Sequence, residues 1–317
     1  MIDFHLHFCD RNQYDSFIST CETTGLNKVA LISLPDLQRD SGTFNEEVLF
    51  AIHKDPARFI GFGALNHRKN SRGTGSEIPY DEQVQKMHKD GFTGVKVWLG
   101  KPLTKTLLGV SVRDSAMYEA FEAAQELGMP IVYHAADPPD MWDAGKVYGD
   151  GSFHSFAKCI DDAVWCAETF PDIPFFFAHL FFLAGGLERL KNILVSHPNV
   201  FLDTAPGRWF FHELNRDREK SREFFTFFSN RIVFGSDALF FDKEVYSLGA
   251  EPNEQEAIKT INRIRKFLGT EVLIDNPYPS TKDLFPEIRG LGLDRRALEN
   301  IMQKNVERFF IHKEKLL

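Results

Sequence analysis

Eight short apolar or alternating runs recur along the chain, and stretches with helical spacing of apolar residues lie between them. The runs cover residues 2–8, 28–34, 59–65, 93–99, 130–136, 174–180, 200–205 and 231–238. Strands that alternate with helices pair in parallel, because each helix carries the chain back to the starting edge, and eight such units close a (β/α)8 barrel. The sequence therefore predicts an α/β TIM barrel, one domain over residues 1–317, with C-terminal helices over about 294–312 packed on it. Three intervening helices are legible at 111–127, 187–196 and 253–268, the first placing Met117, Phe121, Ala124 and Leu127 on one stripe before Gly128.

The connections are asymmetric. Those entering strands are short, at 25–27, 55–58, 90–91, 128–129, 171–173 and 197–199. Those leaving strands are long, notably 66–79, 100–110, 137–151 and 239–252. One end of the barrel is trimmed and the other elaborated, and barrel enzymes build their sites at the elaborated C-terminal end of the strands.

Side chains at that end carry the chemistry. In the first run, strand alternation turns Ile2, Phe4, Leu6 and Phe8 to one face and Asp3, His5 and His7 to the other. Two neighbouring imidazoles on a strand suited to a core either face water at an edge or share a metal ion. The other strands favour the ion: His134 lies near the end of the fifth run, His179 near the end of the sixth and Asp237 near the end of the eighth. Imidazole nitrogens with one carboxylate oxygen suit one divalent metal, zinc first and manganese, iron or nickel as alternatives, and poorly suit calcium or magnesium. Such an ion would activate a water, with Asp237 as both ligand and general base.

Composition narrows the remaining classes. The chain is 43% hydrophobic with 31 Phe, enough for a large core. It carries a net charge of −8 and no basic cluster, which argues against a nucleic-acid or anionic-membrane surface. Cys9, Cys21, Cys159 and Cys166 contain no C-x-x-C pair and read as buried thiols. The first strand begins at once, and the most apolar run, 173–187, is interrupted by His179 and two glycines; a cytoplasmic protein is expected. A small-molecule substrate is the expected partner, with a homo-oligomer left open.

The arrangement resembles the amidohydrolase superfamily, in its amidohydrolase-related branch of metal-dependent hydrolases and decarboxylases. The resemblance rests on His5-x-His7, His134, His179 and Asp237 in order. Gly94-Val95-Lys96, His197-Pro198-Asn199-Val200 leading to Asp203, Phe234-Gly235-Ser236-Asp237, and Lys304-Asn305 with Phe309 extend it along the chain. It implies that His5, His7, His134 and Asp237 bind the main metal, and that His179 binds a second ion or holds substrate and water.

Lys96 has three readings: a carboxylated bridge between two ions, a contact for a substrate carboxylate, or a structural ion pair. Arg208 and Trp142, on the loops after the seventh and fifth strands, are candidate substrate contacts. The leading expectation is hydrolysis of an ester, lactone or amide in a small acid-bearing substrate. Decarboxylation of an aromatic or dienoic acid is the alternative, since the same site in related enzymes removes CO2; keeping His5 where many such decarboxylases carry Glu favours hydrolysis. A non-catalytic, metal-braced barrel fits less well, because structural zinc sites are closed and cysteine-rich.

Overall fold

Why the two faces of each strand differ is visible in what they touch. A computed structural model describes residues 1–36, 42–68, 76–207, 209–241, 254–277 and 287–311. Its main strands are β1 (Ile2–Phe8), β2 (Lys28–Ile32), β3 (Phe59–Ala64), β4 (Gly94–Val97), β5 (Ile131–Tyr133), β6 (Phe175–Phe177), β7 (Val200–Asp203), β8 (Ile232–Val233) and β9 (Ala238–Phe240). All pair in parallel, in the order β8-β7-β6-β5-β4-β3-β2-β1-β9. One face, with Leu31, Val95, Val97, Ile131 and Phe177, packs in the large core that also takes in the helices. The other carries Ile32, Phe62, Val132, Phe176, Phe201 and Val233 in a separate cluster.

The two edge strands, β8 and β9, are consecutive in the chain, joined by residues 234–237. Phe4 N–H donates to Phe234 O at 2.7 Å and Asp237 N–H to His5 O at 2.7 Å, so this connection bonds along β1. The sheet thus curls until its ends share one stretch of chain, an arrangement consistent with a TIM barrel. The eighth run, expected as one strand over 231–238, is instead split, because residues 234–237 depart from strand geometry and Asp237 takes a positive φ of 57°.

The alternation expected for β1 also needs correction. Ile2 pairs with Lys28 and Asp3 with Val29, but Leu6 pairs with Leu31, so Phe4 and His5 together oppose Ala30. This bulge changes which parity faces inward. Ile2 and Phe4 lie in the inner cluster whereas Leu6 and Phe8 lie in the outer core. Asp3 does not accompany the imidazoles: its Oδ1 accepts from the backbone of His5 and Ser236 at 3.0 and 3.1 Å.

Helical residues 295–311 meet the inner cluster from the N-terminal ends of the strands. Phe310 stacks 5.5 Å from Phe4, Phe309 lies 5.1 Å from Phe176, and Ile301 O accepts from Phe234 N–H at 2.9 Å. Asn305, of the Lys304-Asn305 pair, donates to Ser229 O and Ile232 O, both at 2.7 Å. The helix expected over 111–127 starts later, at Ser115, since Ser111 N–H donates to Asp114 Oδ2 in a preceding turn. A short helix, Pro102–Leu108, sits within the expected 100–110 loop. Strands Leu273–Asp275 and Glu287–Arg289 form an antiparallel pair with no sequence-level forecast. None of the four cysteines forms a disulfide and all are buried. Among the described residues no helix is long and apolar enough to cross a membrane.

Candidate metal centre

The bulge in β1 turns His5 and His7 toward one point. His5 Nε2 lies 3.2 Å from His7 Nε2, and the two lie 3.5 and 3.2 Å from Asp237 Oδ1. Their other nitrogens are taken: His5 Nδ1 contacts Asp203 Oδ2 at 2.6 Å and His7 Nδ1 contacts Ile32 O at 2.6 Å. A ring whose Nδ1–H is donated carries its lone pair on Nε2, so both bare lone pairs converge on the carboxylate. A tetrahedral ion with bonds of about 2.0–2.1 Å separates its ligand atoms by about 3.3–3.4 Å, close to the three spacings found. The donor set fits a divalent ion.

Electrostatics supports the same use. Burial holds the His5 imidazole well below its ordinary pKa, with Lys96 adding to the effect, and lowers His179 to about 4. Neutral imidazole is the form that binds metal. Burial alone would raise the Asp237 carboxyl, but the close approach of His7 and the neighbouring histidines outweighs it and keeps the group ionised. Asp237 remains about a third exposed (32%), whereas His5 is closed to solvent. The carboxylate therefore meets both the ligand cluster and the outside.

Gly235 makes this close approach possible. A Cβ there would lie 2.7 Å from His5 Cβ. Gly235→Ala is expected to push His5 off its position, costing about 1–3 kcal/mol of stability and weakening zinc binding. Urea unfolding and chelator competition on the same sample check it; wild-type zinc affinity would show that the strand absorbs the methyl elsewhere.

His179 stands beside the triple, its ring centroid 5.5 Å from His5 and 4.9 Å from His134. It was expected inside the sixth strand, but β6 stops at Phe177. Residues His179, Leu180, Phe181 and Phe182 follow with φ of 58°, 50°, 58° and 54°, a left-handed turn without glycine. Each such residue costs roughly 1–2 kcal/mol, so the surroundings must enforce the turn. Phe181 stacks on Phe177 at 4.1 Å, and His179 N–H donates to Asp203 Oδ1 at 2.8 Å. Asp203 thus holds the ring of His5 and the backbone of His179 together.

The sequence-predicted contacts separate at this point. His5, His7 and Asp237 form the compact triple, His179 and His134 flank it, and Lys96 lies in the same interior. Lys96 is 2% exposed and its Nζ has no hydrogen-bond partner, while the carboxylates of Asp203 and Asp237 are the opposite charges that act on it. The Trp142 indole N–H donates to His154 O at 2.8 Å and its ring packs on Phe156, which lines the cleft. Arg208 lies outside the described residues. A cleft of about 510 Å³ opens beside His179, walled by Phe156, Phe182, Trp209 and Phe210 and edged by Asp143 and Glu213.

The amidohydrolase family profile matches residues 2–310. The chain belongs to the amidohydrolase family. This amidohydrolase-family chain has no match among curated protein sequences. Solved structures resemble it throughout. A probable 2-pyrone-4,6-dicarboxylic acid hydrolase from Acinetobacter baumannii has a TM-score of 0.56 at 14% identity, covering 98% of both chains. An uncharacterized TIM-barrel protein from Bordetella bronchiseptica has a TM-score of 0.58 at 12% identity, also covering 98% of both. The 5-carboxyvanillate decarboxylase of Novosphingobium aromaticivorans, solved with manganese and a nitrobenzoic acid, has a TM-score of 0.56 at 14% identity, covering 98% and 95%. At such identities the likeness concerns the fold. The solved structures it resembles thus include both a probable hydrolase and a decarboxylase.

Proposed function

We propose that this protein is a metal-dependent hydrolase that cleaves an ester, lactone or amide bond in a small, carboxylate-bearing substrate. The observation that carries the reading is the convergence of two bare Nε2 atoms on an ionised, partly exposed Asp237. His5, His7 and Asp237 would hold a divalent ion, zinc in this proposal, which would supply the Lewis acidity that makes water ionisable near neutral pH and polarises a carbonyl oxygen. Asp237 accepts the proton of the attacking water and returns it to the leaving group. His179, whose Nδ1 contacts Ala205 O at 3.2 Å, offers its other nitrogen to the substrate oxygen. Lys96, a buried cation without a hydrogen-bond partner, would gain its counter-charge from the substrate's acid group.

Support also comes from the neighbours' chemistry, since one is described as a probable hydrolase of a pyrone dicarboxylic acid. Manganese in the decarboxylase shows that the related fold accepts a divalent ion. Metal-stripped protein reloaded with zinc or manganese should be offered lactones, esters and phenolic acids in ¹⁸O-labelled water. Label in an acid product, without gas release, is expected. CO2 release without label would replace hydrolysis by decarboxylation.

A further inference from the structure

His134 differs from the other two histidines of the centre in how its ring is held. His5 and His7 both engage Nδ1 and leave Nε2 bare, whereas the Nε2 of His134 is buried, has no hydrogen-bond partner, and lies 3.6 Å from Asp137 Oδ1. Asp137 sits three residues further along the loop leaving β5 and is only 6% exposed. Its carboxylate is held from two other places: the Tyr148 hydroxyl donates to Oδ2 at 2.5 Å, and Lys101 Nζ, on the loop leaving β4, lies 3.3 Å from Oδ1. Lys101 is itself placed 4.9 Å over the Trp98 ring. A buried carboxylate fixed by two donors and facing one imidazole nitrogen has the form of an outer-layer partner to a metal-binding histidine.

We propose that Asp137 is a positioning residue that holds the Nε2 proton of His134 and fixes its ring beside the centre, so that Nδ1 is the nitrogen left without a proton. Lys101 and Tyr148 act through Asp137, keeping its carboxylate aimed at the ring. This rests on the metal-centre reading of the proposed function, but its first test needs no metal. Nitrogen NMR of the chelator-treated protein reads the tautomer of each histidine directly. His134 protonated at Nε2, opposite to His5 and His7, is the expected result, and His134 protonated at Nδ1 would overturn the assignment.

The second test is zinc affinity by competition with a chromophoric chelator, with the melting temperature of each metal-free variant recorded beside it. Asp137→Ala is expected to weaken zinc binding about 10–100-fold. Asp137→Asn, whose amide oxygen still accepts from Nε2–H, should recover much of it, and Tyr148→Phe should fall between Asn and wild type. Zinc affinity in Asp137→Ala equal to wild type would overturn the proposal, and should that variant not fold, Tyr148→Phe and the tautomer measurement decide. Wild-type protein that fails to bind zinc would instead sink the proposed function, a result distinct from a wrong tautomer.

Discussion

Asp237→Asn is expected to lower kcat by about 10²–10⁴-fold, the range carried by a positioned general acid–base group. The substitution keeps the shape and one oxygen of the side chain but removes its capacity to take a proton. Asp237 is also one corner of the ligand triple, 3.2 Å from His7 and 3.5 Å from His5, so zinc affinity should fall with it. Reading kcat at saturating zinc separates the two losses. The fold should be retained, because the side chain is about a third exposed (32%) and the strained backbone at φ 57° accepts Asn at least as well as Asp. Unchanged turnover in zinc-saturated Asp237→Asn would remove the residue from the chemistry.

Lys96→Met is the second large effect, and it runs in opposite directions for stability and function. Burial lowers the ammonium's pKa to about 8 from its ordinary 10.5, with Asp203 and Asp237 only partly countering. Between these two values the unfolded chain holds a proton that the folded chain has released, so wild-type stability rises with pH across that window and the penalty is greatest below about 8. Replacing the group by Met is therefore expected to stabilise metal-free protein by about 3 kcal/mol at pH 7, a gain that shrinks toward zero as pH climbs to 10.5. The same variant should lose acid-bearing substrates while keeping neutral esters, a trade of activity for stability. Urea unfolding from pH 6 to 10 reads the first, and KM for an acid against its methyl ester reads the second. A destabilised Lys96→Met at pH 7 would mean that the ammonium has a partner in solution.

Much of this was legible because a strand's period of two writes its faces into the sequence. Phe176 flanked by Phe175 and Phe177, or Val132 flanked by Ile131 and Tyr133, shows where a strand runs but not which face is inner. The histidines and Asp237 at strand ends then mark the elaborated mouth. What stayed hidden has physical causes. The bulge at Phe4 and His5 leaves no compositional trace, since either residue is acceptable on either side of a buried strand. The left-handed turn at residues 179–182 runs against local preference and is enforced by Phe177 and Asp203, which lie outside it. Asp203 carried a signal, an acid ending an apolar strand, but its contact with His5 spans 198 residues of sequence. Asp137 had none, because its meaning depends on Tyr148 and Lys101 arriving from other loops.

In the proposed centre the Nε2 atoms of His5 and His7 and the carboxylate of Asp237 share one divalent ion open to small molecules. Anomalous diffraction from zinc-loaded crystals, collected on both sides of the zinc edge, tests it most directly. One strong peak within bonding distance of those three atoms is expected. A peak elsewhere, or none at full zinc saturation, would contradict it.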